Sequence, residues 1–376
     1  LTWLTGYRAQ STDPPSLGWT YRDAVAMEKF NRPLTDPFVE ALLIPALKKI
    51  NAGIVTTDAQ AQTVIQALRK VLTLPDRLEA NCKMLDLLRD GVSVVLEPGK
   101  PAATVKVIEF DPSLQHLNDF TATNQYKVKG IAGVKADTVL LVNGLPLVVA
   151  EFKNYASSGD WMEGHKQLHR YQREAPLLLV TNVFCIASDD QEFRYGTVLF
   201  HDANDAEIKL HRDHWQPWLS QYPAKRMYWN LPASEQDDDA VHAATEGLLR
   251  LKPANVLDFL QHFVVFETKK GEAVKKIARY QQFEAANDIV DRCLSLIGKK
   301  NVTKYDRTGL IWHTQGSGKS LTMIYAANKL RRHPKLGNPT VMIVVDRRDL
   351  KTQIADDFDN CDYEGVVKAM GVHDLK

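Results

Sequence analysis

One eight-residue stretch restricts this chain more than any other: His313-Thr314-Gln315-Gly316-Ser317-Gly318-Lys319-Ser320. It follows the apolar run Gly309-Leu310-Ile311-Trp312 and opens a helix-like pattern that begins at Lys319. A glycine-rich turn from a strand into a helix directs backbone N–H groups inward. The helix N-terminus adds the positive end of its dipole, so phosphate oxygens are cradled there. On this reading Thr314, Gly316, Ser317 and Gly318 line the cradle, Lys319 reaches the β- and γ-phosphates, and Ser320 ligands Mg2+. The implied nucleotide is ATP. A loop of this kind needs a parallel α/β layer. The sequence therefore predicts a short strand over 309–312, a helix over 319–331 and a fully buried strand over the apolar 340–346. His313 stands where the usual pattern has glycine. The competing reading is a glycine-rich turn that holds nothing.

At 376 residues the chain is long enough for two or three domains. With 47 Lys and Arg against 46 Asp and Glu, overall charge neither favours nor excludes nucleic acid. Cys82, Cys185, Cys293 and Cys361 are widely spaced, which argues against a disulfide framework or zinc ribbon and fits a reducing cytoplasm. No apolar run reaches the roughly 18 residues of a membrane span. The chain opens without methionine and stops without a terminal signature, so both ends are expected to be cuts from a longer protein.

Periodicity divides the rest. Helical spacing covers 36–50, 57–72 and 81–89. Period-two strands follow at 92–97, 104–111, 124–128, 135–142 and 146–153. A helix over 161–173 and strands over 177–187 and 196–200 complete an α/β or α+β pattern. The acidic run 234–239 suggests a boundary, giving domains 1–235 and 236–376, and 240–300 reads as helical.

A second constellation lies in the strand region. Glu151 and Lys153 are two apart on one strand and share a face. With Asp137 on the preceding strand they could hold a hard divalent cation such as Mg2+, which polarises a phosphodiester and lowers the pKa of water. Lys153 could orient that water or stabilise developing charge. Gln167 and Tyr171, four apart on the next helix, could flank the site. Register sets a condition. Asn143-Gly144 suggests a two-residue type I′ turn, which pairs Val142 with Leu145 and leaves Asp137 and Glu151 on opposite faces. A shared face needs a three-residue 142–144 loop or an equivalent bulge. Taken alone, Asp followed by Glu-x-Lys is common, and a solvated salt bridge is its ordinary meaning. His211 and His214 form an HxxH pair with no third ligand close in sequence, and are read as structural.

The run Asn143-Gly144-Leu145-Pro146-Leu147-Val148-Val149-Ala150-Glu151-Phe152-Lys153-Asn154 closely resembles the nuclease motif of type I restriction-enzyme R (HsdR) subunits. Asn118-Asp119-Phe120 and Asn124-Gln125 fit the same family. Asp346-Arg347-Arg348-Asp349-Leu350 and Gln353 resemble motif Ia of its motor. Arg279-Tyr280-Gln281-Gln282-Phe283 resembles the segment whose glutamine reads adenine, with Gln282 favoured over Gln281. Superfamily 2 motors of this kind tolerate a non-glycine residue at the His313 position.

The resemblance runs from about 85 to 350 and implies a PD-(D/E)xK endonuclease fold followed by a partial RecA-like P-loop lobe. It makes Asp137 and Glu151 metal ligands, Lys153 the catalytic lysine, and Gln167 and Tyr171 the family's QxxxY element. Ala136 stands where the fold's naming proline would be, a position without chemistry. The further acid often supplied by the first helix is not identifiable, and Glu40 is a poor substitute. The implied function is Mg-dependent cleavage of duplex DNA by an ATP-driven translocase, with methyltransferase and specificity subunits as partners. No Asp-Glu-x-x strand end follows Ser320, so weak ATP binding without translocation is expected of this chain alone. The rivals are a single-chain restriction enzyme or similar nuclease–translocase fusion, a DNA-binding motor whose nuclease fold is an inactive clamp, and, more distantly, a P-loop nucleotide kinase.

Overall fold

The computed structural model describes Leu4, residues 16–154, 159–189, 191–218, Gly247, 250–361 and 366–368. The chain forms two compact units, Leu1–Gln261 and His262–Lys376. The first unit runs beyond residue 235. Phe259 of helix α7 (Pro253–His262) packs on Phe184 and Trp218, with ring centroids 5.3 and 4.9 Å away. The acidic run 234–239 lies outside the described residues.

The first unit is a mixed α/β domain. Strands β1 (Thr20–Tyr21), β4 (Phe120–Lys129), β5 (Gly133–Val142), β6 (Leu145–Phe152), β7 (Phe184–Ser188), β8 (Phe193–Gly196) and β9 (Gln216–Pro217) form one sheet in that spatial order. The β1–β4 and β6–β7 pairs are parallel and the others antiparallel. Before the sheet come α1 (Ala24–Glu28), α2 (Glu40–Ile50), α3 (Asp58–Leu72) and α4 (Arg77–Asp90). Thr57 and Gln60 form a reciprocal capping box that starts α3, and Asp76 caps α4. Helix α5 (Trp161–Glu174) begins under two carboxylates. Asp160 accepts from the Met162 N–H and Asp189 from the Trp161 N–H, each at 2.9 Å. Leu168 and Tyr171 of α5 join Val139, Leu141, Val149 and Cys185 in the core, together with Val39 and Leu42 from the α2 region. Sandwiched in this way, β6 is buried from Leu145 to Glu151, which explains its nearly unbroken apolar sequence.

Several expected strands move. The segments 92–97 and 104–111 shorten to β2 (Val92–Val94) and β3 (Ala103–Val105), which pair with each other outside the main sheet. The expected strand 177–187 begins instead as a 3-10 turn, Pro176–Leu179, and becomes extended only at β7. Asn182 ends that turn, donating to the carbonyls of Leu147 and Phe184. The next strand is 193–196 rather than 196–200. Helix α6 (Asp205–His211) follows, opened by an Asn204–Glu207 capping box.

In the second unit the helical expectation for 240–300 is corrected by a hairpin, β10 (Val264–Lys269) and β11 (Glu272–Ile277). Its turn residues Lys270 and Gly271 have φ of 53° and 84°, as a two-residue type I′ turn demands. Helices α8 (Tyr280–Leu294), α9 (Lys319–Arg332) and α10 (Arg348–Asn360) follow. A small core joins Ile324, Ala327, Ile354 and Phe358. The strands expected at 309–312 and 340–346 are absent. Among the described residues nothing pairs with these segments, and Leu310, Trp312 and Val344 are at least 80% exposed. An apolar run becomes a strand only when a neighbour satisfies its N–H and C=O groups. The parallel sheet expected around the phosphate loop is therefore not formed among the described residues.

Candidate active site

The Asn143-Gly144 turn is the two-residue turn its dipeptide suggests, with φ of 53° and 79° and Val142 opposite Leu145. Three-residue closure does not occur. Parity is restored by a bulge: Leu140 faces Val148 while Leu141 faces Pro146, leaving Leu147 as an extra residue in β6. Beyond it Thr138 opposes Ala150, which sets Asp137 opposite Glu151 on one face. The turn itself is pinned. The buried Asn143 amide donates to Val107 O at 2.8 Å and Asn118 Oδ1 at 2.9 Å, and accepts from the Asp119 N–H at 2.7 Å. A side chain at Gly144 would meet the Val39 carbonyl at 2.5 Å.

Five of the expected side chains converge here. The Asp137 N–H donates to Glu151 Oε1 at 3.1 Å, and the Phe152 N–H donates to Asp137 Oδ2 at 3.1 Å. Lys153 Nζ donates to Glu151 Oε2 at 3.2 Å and to Gln167 Oε1 at 2.7 Å, and lies 3.9 Å from Asp137 Oδ2. Gln167 Nε2 donates to the Tyr171 hydroxyl at 2.6 Å. That hydroxyl in turn has two acceptors for its single proton, Glu151 Oε1 and Lys135 O, both at 2.9 Å. Gly164 lets α5 approach this closely, since a Cβ there would sit 3.2 Å from the Glu151 Cβ.

Burial and charge separate the two acids. The Glu151 side chain is fully buried, whereas that of Asp137 is 30% exposed. Burial pushes the Glu151 carboxyl up to about 7, and the neighbouring Asp137 charge adds to the rise. Tyr171 is raised as well, by burial and then by the Glu151 charge. Two close carboxylates, one too buried to ionise freely at neutral pH, form a donor set that a hard divalent cation would relieve of repulsion.

One contributor is signalled in the sequence only through its resemblance to the family. Gln125, in the middle of β4, takes a left-handed φ of 54°. It stands across from Asp137, where the β4–β5 ladder skips between Asn124 and Tyr126, and its amide lies 3.5 Å from Asp137 Oδ1. A strained residue of this kind, beside a carboxylate pair, is typical of a working site. Gln125 also lines a cleft of about 380 Å³ with Glu28, Asn31 and Arg32. Glu40 is elsewhere, paired with Arg69 and Gln62.

In the second unit Gly316 and Gly318 are left-handed, with φ of 78° and 82°, and Gly318 opens α9. The Ser317 hydroxyl donates to Thr314 O at 2.7 Å, and Lys319 Nζ folds onto the same carbonyl at 2.8 Å. Gln282 is buried. Its Nε2 donates to Gly318 O at 2.9 Å and its Oε1 accepts from the Arg279 N–H at 2.8 Å, so its amide grips the loop. Arg347, in the expected motif Ia, pairs with Asp349 at 2.6 Å in an exposed turn.

Residues 12–202 match the family described as type I restriction enzyme R protein N terminus, and residues 281–376 match the SWI2/SNF2 ATPase family. The chain is 32% identical over 359 residues to the type I restriction enzyme HindI endonuclease subunit of Haemophilus influenzae, covering 91% of this chain and 31% of that protein. A Methanocaldococcus jannaschii relative, named as the MjaVIIIP endonuclease subunit, is 27% identical over 369 residues, 96% of this chain and 32% of its own length. The chain thus spans about a third of the length of these relatives.

Proposed function

From the premise that the chain belongs to the type I restriction enzyme R protein family, we propose that its first unit cuts duplex DNA, with Asp137, Glu151 and Lys153 at the reacting phosphate. The observation that carries this reading is the Leu147 bulge. It brings Asp137 and Glu151 to one face at the end of a buried strand, where an unused charge would be costly. Asp137 and Glu151 would hold Mg2+, and Gln125 would steady Asp137. When bound, such a cation polarises the phosphodiester and lowers the pKa of water. Lys153, held by Gln167 and Glu151, presents its ammonium to the charge that develops on the phosphate. Tyr171 and Gln167 fix that geometry through the hydroxyl at Glu151 Oε1.

The second unit, in this proposal, begins a RecA-like ATP-driven motor. Its support is the left-handed Gly316–Gly318 loop at the start of α9 and the match to an ATPase family. Thr314, Gly316, Ser317 and Gly318 would cradle the phosphates, Lys319 would swing from Thr314 O to the β/γ-phosphates, and Ser320 would meet Mg2+. Gln282 would read adenine only by giving up its grip on the loop, so the geometry supports it first as a loop clamp. Translocation on DNA, a cytoplasmic setting, and partnership with methyltransferase and specificity subunits belong to the same proposal.

The test uses the intact protein with its partner subunits. Lys153→Ala and Glu151→Gln should abolish Mg-dependent cleavage of duplex DNA and leave DNA-stimulated ATPase unchanged. Cleavage persisting in both variants would refute the assignment.

A further inference from the structure

On the side of α5 away from Gln167 and Tyr171, three histidines meet. His165 and His169 are four apart on α5, and His211 comes from the end of α6. One ring nitrogen from each lies within 4.8 Å of the other two. We propose that His165, His169 and His211 form a structural site for a late first-row divalent cation, zinc above all, separate from the carboxylate site.

Two observations point to a ligand. First, His165 Nε2 and His211 Nδ1 are buried and make no hydrogen bond. His165 as a whole is 1% exposed, so a polar atom is hidden from water and left without a partner. Second, the third histidine is oriented as metal-bound histidines are. His169 Nδ1 donates to the His165 carbonyl at 3.0 Å, which fixes the tautomer and leaves the Nε2 lone pair for a ligand. The Leu199 N–H now donates to that Nε2 at 3.2 Å, a long bond that coordination would exchange.

Geometry and charge both agree. A tetrahedral zinc with bonds of about 2.0–2.1 Å spaces its ligand nitrogens about 3.4 Å apart. The ring nitrogens, now within 4.8 Å of one another, therefore need to close by at most about 1.4 Å. Burial disfavours the charged form of all three imidazoles, the direction that ligation requires. Two of the nearby cations have their own carboxylates: Arg212 lies 3.6 Å from Asp213, and Lys166 lies 2.7 Å from Glu163. Trp215 meets His165 edge-on at 4.9 Å and helps to close the cluster from water. His214, exposed and 5.7 Å ring to ring from His211, is available for a fourth position, with water as the alternative. An imidazole set without thiolates or carboxylates suits zinc rather than Mg2+. The consequence is mechanical. Zinc would tie α5 to α6 and so hold the opposite edge of α5 against Glu151.

The test is metal content and stability of the intact protein, purified without a histidine tag, independent of DNA cleavage. One zinc per chain should survive gel filtration, and cobalt in its place should give the visible bands of a four-coordinate site. Zinc should raise Tm in the wild type. His211→Gln and His169→Gln should each lose the zinc-dependent rise, measured against the variant's own Tm in chelator, and at least tenfold in zinc affinity. Trace zinc with no Tm response in the wild type would overturn the proposal, and needs no variant to fold. Undiminished zinc binding by both variants would overturn it as well.

Discussion

Glu151→Gln tests the electrostatics of the carboxylate pair directly. Burial and the Asp137 charge raise the Glu151 carboxyl from its ordinary 4.5 to about 7. At 1.36 kcal/mol per pH unit, holding this side chain ionised in the fold costs about 3 kcal/mol. The sign follows from proton binding. Between pH 4.5 and 7 the folded protein holds a proton that the unfolded chain has released, so stability falls as pH rises through this window. Glutamine carries no such penalty. It does lose the acceptor facing Lys153 Nζ at 3.2 Å, which takes back about 1 kcal/mol. In chelator, urea unfolding should show the variant no more stable than wild type at about pH 5 and about 2 kcal/mol more stable at about pH 8. Titrating groups that do not interact with Glu151 cancel in the difference. Added Mg2+ should stabilise only the wild type at pH 8. A variant less stable than wild type throughout, or a difference that does not change with pH, would refute this account of Glu151.

Three other changes probe the same framework. Deleting Leu147 removes the bulge and should turn Glu151 to the opposite face, abolishing Mg2+ binding by calorimetry while the far-UV circular dichroism survives. Tyr171→Phe removes a hydroxyl that donates toward Glu151 Oε1 or Lys135 O, so the pH midpoint of Mg2+ binding should move upward, at a stability cost of about 1–2 kcal/mol. Asn143→Ala breaks three hydrogen bonds at the turn, two of them buried, and should cost about 2–4 kcal/mol in urea titration; a loss below about 0.5 kcal/mol would show that the turn is held by other contacts.

Much of the site was legible because its signals are local. Helix α5 followed from its apolar stripe, Glu151 and Lys153 shared a face by strand periodicity, and the left-handed glycines marked the loop before α9. Even the two-residue turn was written in Asn143-Gly144. Its consequence was not. The dipeptide alone separates Asp137 from Glu151, and only the strand pairing of the folded sheet, with Leu147 buried as the extra residue, reunites them.

The histidines show the same division. His211 lacked a third ligand nearby in sequence, while His165 and His169 join it in space across about 40 residues, because α6 folds back beside α5. Asn124-Gln125 resembled the family, but nothing local marked the left-handed backbone that sets Gln125 opposite Asp137. For the apolar runs 309–312 and 340–346 composition misled, because a strand is defined by the neighbour it pairs with. Residue chemistry, spacing and turn preference were thus determined by the sequence. Register, the meeting of distant side chains and the pairing of strands were decided by tertiary structure, because they depend on partners that no local stretch contains.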